Sequence, residues 1–233
     1  MVIGWSISKD IFRFDFKIPN AKDNTEYYEN IVSNSNNTSD IKEPKTIFSY
    51  TNIPNSIQEK MLGLSMPYNE PLSFDELRYI KISYYGFDNK VHIGDMIVNK
   101  KVAAEVVDIF KELYAKKYPI EKIKLIDEYE ANDALSMKDN NSSSFCYRTI
   151  ANTSVVSNHG LGLAIDINPF QNPHVIKNNT SPKESFAYAD RTNLKFGMIH
   201  EGDDCYNAFI SRGWSWGGHW KNPDYQHFEK NIK

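Results

Sequence analysis

The clearest hydrophobic period in the chain is helical and covers roughly 101–117, where Val102, Val106, Phe110 and Leu113 recur at three- and four-residue spacing. Ala103, Val107 and Tyr114 widen that stripe. Tyr118-Pro119 ends it, because a residue ahead of proline is pushed out of the helical region. The pattern predicts a scaffold helix with one face in the core. Two shorter helices are predicted from capping boxes. One pairs Ser56 with Glu59 and stops at Gly63; the other pairs Ser73 with Glu76, with Leu72 and Leu77 as the flanking staple. Alternation predicts strands over 79–85 (YIKISYY), ended by a turn at 86–89, and over 122–127. Residues 11–18 also alternate, with Phe12, Phe14, Phe16 and Ile18 on one face, and read equally as a strand or a hydrophobic tail. Residues 33–40 (SNSNNTSD) have no period and read as exposed loop. Further on, Ser181-Pro182 with Glu184 predicts a helix start, and a helix over about 203–212 is closed by Gly213.

Composition narrows the class. With 233 residues, 40% of them hydrophobic and 13% aromatic, the chain can build one full domain or two small ones. That excludes a disordered or collagen-like chain. No window approaches eighteen uninterrupted apolar residues, so no membrane-spanning helix is expected. A formal net charge of -3 supplies no overall attraction to nucleic acid or acidic membranes. The opening stretch, MVIGWSISKDIFRFDF, has neither a basic leader nor an apolar run, so no signal peptide is expected in the chain as it stands. Cys146 and Cys205 have no metal spacing; unpaired thiols are the expectation, with a single disulfide left open.

Two segments bring chemistry. In 157–169 (SNHGLGLAIDINP), His159 and Asp166 stand seven residues apart, and Gly160 and Gly162 permit a bend between them. From Ala164 onward the alternation turns Ile165 and Ile167 to the core and Asp166 to the opposite face. In DYQHFE, Asp224 and His227 are three residues apart, within reach of one helical turn or one tight turn. Together these are two imidazoles and two carboxylates. Three could bind zinc through N, N and O with one position left for water, and the fourth could move that water's proton. His92, His174, His200 and His219 have no comparable setting and read as structural, although His219, in the same terminal segment, competes as a ligand. Trp214, Trp216 and Trp220 interleave with Gly213, Gly217 and Gly218, as aromatic core or as a cleft wall.

These segments resemble the zinc D-Ala-D-Ala carboxypeptidases, the cell-wall peptidases of family M15 that include VanY-type enzymes and L-alanyl-D-glutamate endopeptidases. The S-x-H-x-x-G-x-A-x-D motif of that family is matched without a gap by Ser157, His159, Gly162, Ala164 and Asp166. Downstream, W-G-G-x-W followed by D-x-x-H is matched by Trp216, Gly217, Gly218, Trp220, Asp224 and His227. An upstream stretch is similar at Ser136, Met137, Asn140, Asn141, Ser143, Phe145, Tyr147 and Arg148. The resemblance covers roughly 95–229. The sequence departs from the family at Cys146, where asparagine is common, and at His219, where an acidic residue is more usual.

The resemblance implies His159, Asp166 and His227 as zinc ligands and Asp224 as the catalytic acid/base. It implies Arg148 in the substrate cleft, binding or polarising substrate, and places Ser157, Tyr147 and Trp216 on the substrate side of the site. It implies an α+β fold of the hedgehog and D,D-peptidase kind, an antiparallel sheet flanked by helices. On that basis residues 1–50 are an N-terminal extension and 51–233 a zinc peptidase domain. The expected activity is zinc-dependent hydrolysis of peptidoglycan stem peptides, as a D-alanyl-D-alanine carboxypeptidase ahead of an L-alanyl-D-glutamate endopeptidase. The alternative from another class is a non-catalytic, zinc-containing cell-wall binding module. Peptidoglycan lies outside the cytoplasm, so export is expected. No nucleic-acid partner is expected, and a monomer is compatible with the pattern.

Overall fold

The computed structural model describes residues 46–68, 72–150 and 153–232. The predicted strand at 11–18 and the loop at 33–40 lie outside the described residues. In chain order the first elements are β1 (Phe48–Thr51), α1 (Asn55–Met61), β2 (Leu77–Tyr85), β3 (Val91–Asn99), α2 (Ala103–Ala115), β4 (Lys122–Ile123), α3 (Asp133–Lys138) and β5 (Asn141–Ser142). They are followed by β6 (Ala164–Asp166), β7 (His174–Ile176), β8 (Asn179–Ser181), α4 (Asp204–Ile210), β9 (Ser215–Trp216) and β10 (His227–Glu229).

Pairing divides the strands into two three-stranded antiparallel sheets, β1-β2-β3 and β6-β10-β9, with two smaller pairs beside them. This mixed architecture is compatible with the α+β expectation. Among the described residues the strands fall into several small sheets, and β4 pairs with β5 in parallel. The domain also takes in β1, whose Phe48 pairs with Ile82, so the expected division after residue 50 falls inside a strand.

The predicted scaffold helix is α2. Its buried face carries Ala103, Val106, Val107, Ile109, Phe110 and Leu113. This face packs on Ile80, Ile82 and Tyr84 of β2 and Met96 and Val98 of β3. Ile165, Ile167 and Phe228 join the same core from the second sheet, with Cys205, Ala208 and Phe209 from α4. Phe209 and Phe228 stack face to face, 4.1 Å between centroids, tying α4 to β10. Each fully buried side chain of this size contributes about 1.5–3 kcal/mol of apolar burial, so the second sheet is anchored through its inward residues and leaves its other face for polar groups.

Several local readings change. The Ser73–Glu76 box forms, but around a single 3-10 turn, Phe74–Glu76. The Ser56 box does not: α1 begins directly after Pro54, which puts Ser56 inside the first turn. The strand expected at 122–127 stops at Ile123, where Asn141 Oδ1 accepts Lys124 N–H (2.7 Å) and Asn141 Nδ2 donates to Lys124 C=O (3.1 Å). The helix start at Ser181-Pro182 is a 3-10 segment, Lys183–Tyr188. Within the turn-rich stretch after residue 130, Asn132 caps α3 by accepting Leu135 N–H. The helix expected at 203–212 is α4, capped by Asp203 and followed by Gly213 at φ 77°. Cys146 and Cys205 are buried and unpaired, as the first expectation had it.

Gly162 fixes the approach to β6. It sits at φ 68°, and a Cβ there would lie 2.6 Å from Asn99 N, whose N–H donates to Gly162 O at 2.8 Å. Gly162→Ala is therefore expected to destabilise the domain by at least 1 kcal/mol, on the order of a strained φ/ψ placement, and urea denaturation with matched m-values measures it.

Candidate metal centre

The site begins with strand register. In the β6/β10 pair, His227 lies directly opposite Asp166 and Phe228 opposite Ile165. Directly opposed side chains have Cβ atoms about 4.5–5.5 Å apart on one face, so the pair that buries Ile165 and Phe228 also sets Asp166 against His227. Ser143 locks β6 from the other side, exchanging backbone hydrogen bonds of 3.1 and 2.9 Å with Asp166. His159 reaches the same place from the turn before β6. Ser157 Oγ accepts Gly160 N–H (3.0 Å), and His159 C=O accepts the N–H groups of Gly162 and Cys146.

The three side chains meet at one point. His159 Nε2 lies 3.1 Å from His227 Nδ1 and 3.3 Å from Asp166 Oδ2, and His227 Nδ1 lies 3.1 Å from Asp166 Oδ1. The two imidazole contacts of Asp166 use different carboxylate oxygens, and one donor atom from each residue lies within 4.8 Å of the other two, a spacing that three ligands of one ion can close. The outer hydrogen bonds choose the facing nitrogens. His159 Nδ1 donates to Ser144 C=O (2.6 Å), which leaves Nε2 for an ion. His227 Nε2 faces Glu229 Oε2 (3.2 Å), which leaves Nδ1. Glu229 is itself held by Asn158 Nδ2 at 2.7 Å. A carboxylate or carbonyl behind each ligating imidazole is the usual support of a metal-binding histidine. Both rings are buried, and these residues fit a divalent cation of zinc type.

The local electrostatics follow from crowding charges in little water. Burial pushes Asp166 up, but the His159 and His227 imidazoles outweigh it and hold the carboxyl well below its usual range. Burial pushes His227 down, yet Asp166 and Glu229 lift it to about 10. Asp224 goes the other way: burial and the Asp166 charge raise it. Its Oδ1 accepts Gln226 Nε2–H at 3.0 Å, and its backbone closes the tight turn through His227 N–H at 3.2 Å. His174, read as structural, has Nδ1 at 4.0 Å from Asp224 Oδ2.

The other candidates divide. Arg148 pairs with Asp133 of α3 at 2.8 Å through Nη2, while its buried Nη1 has no hydrogen-bond partner. Burial raises Asp133, and Arg148, His159 and Asp166 all act on its charge, so this ion pair borders the His159–Asp166–His227 cluster. Tyr147 is half-buried, its N–H donating to Ser65 C=O at 2.8 Å. Trp216 lies in the core, and its indole N–H donates to Tyr225 C=O. Trp220 is the ring at the site: 42% exposed, with its centroid 5.1 Å from that of His227. His219 pairs with Glu201 on the surface and stands outside the ligand cluster. Burial lifts the Cys146 thiol to about 11, so it remains protonated. The sequence reading missed Glu229, although strand alternation puts it on the face of His227, two residues on.

The buried His159–Asp166–His227 donor set could hold a metal ion, and Asp224, a carboxyl of raised pKa, lies near it. Residues 151–230 match the family model of D-alanyl-D-alanine carboxypeptidases, peptidase family M15. The match bears out the resemblance read from the sequence, supports a cell-wall peptidase function of carboxypeptidase type, and spans His159, Asp166, Asp224 and His227. Arg148 and Tyr147 precede the matched segment. No curated protein and no solved structure matches the chain.

If Glu229 orients His227, Glu229→Ala weakens zinc affinity about 10–100-fold, the usual cost of losing such a partner. A chromogenic chelator competition measures this. In the same titration, His219→Ala leaves the affinity unchanged.

Proposed function

We propose that the protein is a zinc peptidase acting on bacterial peptidoglycan stem peptides, with D-alanyl-D-alanine carboxypeptidase activity as its first reading. The observation that carries it is Asp224, a buried carboxyl of raised pKa three residues before a ligand of the His159–Asp166–His227 cluster and within the family match. In this reading residues 51–233, together with the start of β1, form the catalytic domain, and the protein works outside the cytoplasm. No helix among the described residues is long and apolar enough to cross a membrane.

His159 Nε2, His227 Nδ1 and Asp166 would hold the zinc. The ion supplies a Lewis acid for the scissile carbonyl and lowers the pKa of water at the site. Asp224 takes the proton of the attacking water and returns it to the departing amine. Its raised pKa suits that exchange, since a carboxyl nearer neutrality both accepts and gives back a proton readily. Gln226 keeps the carboxyl aimed by bonding Oδ1. Arg148, half-buried beside the His159–Asp166–His227 cluster, would supply the positive charge that attracts the terminal carboxylate of the peptide, which favours carboxypeptidase action. The second reading, L-alanyl-D-glutamate endopeptidase, draws support from Nη2 already being engaged by Asp133. Ser157 serves the site by holding the His159 turn, and Trp220 takes the cleft-wall role that its sequence neighbour Trp216, in the core, cannot.

Asp224→Ala is expected to keep stoichiometric zinc and lose at least 100-fold in kcat, a general base being worth about 10²–10⁴. Unchanged cleavage by this variant would eliminate the mechanism. Mass spectrometry of defined muropeptides treated with zinc-loaded or chelated protein separates the substrates. Loss of one terminal D-alanine marks the carboxypeptidase and a cut after L-alanine the endopeptidase. Bound zinc with no product would mark a binding module.

A further inference from the structure

A second concave site lies along the same two chain segments as the metal ligands and takes no part in the chemistry above. It is a cavity of about 290 Å³ lined by Phe87, Glu121, Lys122, Lys138, Asp139, Asn140, Phe170 and Gln171. Two half-buried rings line it, each backed by another aromatic: Phe87 by Phe196 at 4.9 Å and Phe170 by Tyr188 at 5.9 Å. The edge contact with Tyr188 restrains the Phe170 ring, while Phe87 meets a Phe196 ring that is itself 63% exposed.

The polar lining is built as firmly. Asn140 is buried, and its Oδ1 accepts Phe170 N–H at 2.9 Å. Gln171 is 8% exposed, and its Oε1 has no hydrogen-bond partner. A buried acceptor left unpaired costs about 1–3 kcal/mol, and rotation about the soft terminal torsion would turn it to a donor in the cavity. Both lining cations are committed in pairs, while Glu121 is the one lining charge outside any ion pair among the described residues. Lys122 bonds Asp139 at 2.6 Å and Lys138 bonds Glu184 at 2.9 Å. A site with aromatic rings, amide groups, paired cations and one uncommitted carboxylate suits a hydroxyl-rich ring, whose O–H groups can donate to the carboxylate and amide oxygens, better than it suits an anion.

Its position gives that ring a role. The segments run side by side from the metal ligands to the cavity, joined in turn by Ser143 with Asp166, Ser142 Oγ with Asn168 N–H, and Asn140 Oδ1 with Phe170 N–H. Four residues separate Asp166 from Phe170, at most about 14 Å of extended chain, which three or four residues of bound peptide can bridge. We propose that the cavity between Phe87 and Phe170 is a sugar subsite, holding a neutral N-acetylated hexose of the glycan that carries the substrate peptide. This rests on the stem-peptide reading of the metal centre and deepens it from peptide to glycopeptide.

The test compares kcat/KM for one stem peptide free and linked to its amino-sugar, and in parallel titrates chelated protein with a soluble N-acetylglucosamine trimer by NMR. The wild type is expected to favour the glycopeptide about tenfold, through KM, and to bind the trimer saturably. Phe170→Ala abolishes both effects with free-peptide turnover unchanged, and Phe170→Tyr, which keeps a ring, retains them. Equal cleavage of the two substrates with no trimer binding overturns the proposal. So does a loss in Phe170→Ala that falls equally on both substrates, with Phe170→Tyr behaving the same way. If neither substrate is cleaved, the peptidase reading fails alone; the trimer titration then decides the subsite, saturable and Phe170-dependent binding supporting it and absence of binding overturning it.

Discussion

The site depends on one strand register. Because side chains alternate along a strand, slipping β10 by one residue past β6 would send His227 into the core and Phe228 into the cleft. The hydrophobic stack of Phe228 on Phe209 opposes that slip, so the core residues of the second sheet guard the geometry of its polar face. The same strand pair thus serves packing with one face and presents the Asp166–His227 pair with the other. His159 is added through a turn pinned to the end of β3, where Asn99 grips Gly162 through the backbone and Leu161 through its side chain. The large scaffold sheet reaches the same place a second time where Ile97 C=O accepts Phe145 N–H, next to the Ser144 carbonyl that holds the His159 ring.

Around that register the charges are arranged in tiers. Asp166 is shared between two imidazoles, and His227 is shared between Asp166 and Glu229. Glu229 is then tied to Asn158, the residue beside His159, which closes the circuit back to the first histidine. Buried charges of this density are tolerable only when each has a partner. Asp224 is the member least compensated, with an amide and a distant imidazole as company, and its raised pKa is the direct result. The group that is worst solvated as an anion is the one suited to carrying a proton back and forth.

Much of this was legible in the chain because the ligands belong to short motifs with their geometry built in. His159 to Asp166 encodes a glycine turn followed by a strand, and Asp224 to His227 a tight turn into another. The long helix was legible from its period. Features that depend on distant partners were not. The shortening of β4 depends on an amide from Asn141, and the Arg148 partner on where α3 happens to begin. β3 was hidden because Gly94 and Asp95 interrupt its alternation. Trp216 and Trp220 could not be told apart from spacing, since in a glycine-rich segment the backbone dihedrals, rather than the period, decide which way a ring points.

The separation of those two indoles has an optical consequence. Trp214 and Trp216 are sealed in the core, whereas Trp220 stands in solvent next to the His227 ring. A neighbouring imidazolium quenches indole emission more strongly than a neutral imidazole does. Among the indoles of the described residues, Trp220 is the exposed one, so with Trp5 replaced the red-shifted emission reports the charge state of the His227 imidazole and gives the site a built-in readout that needs no added dye.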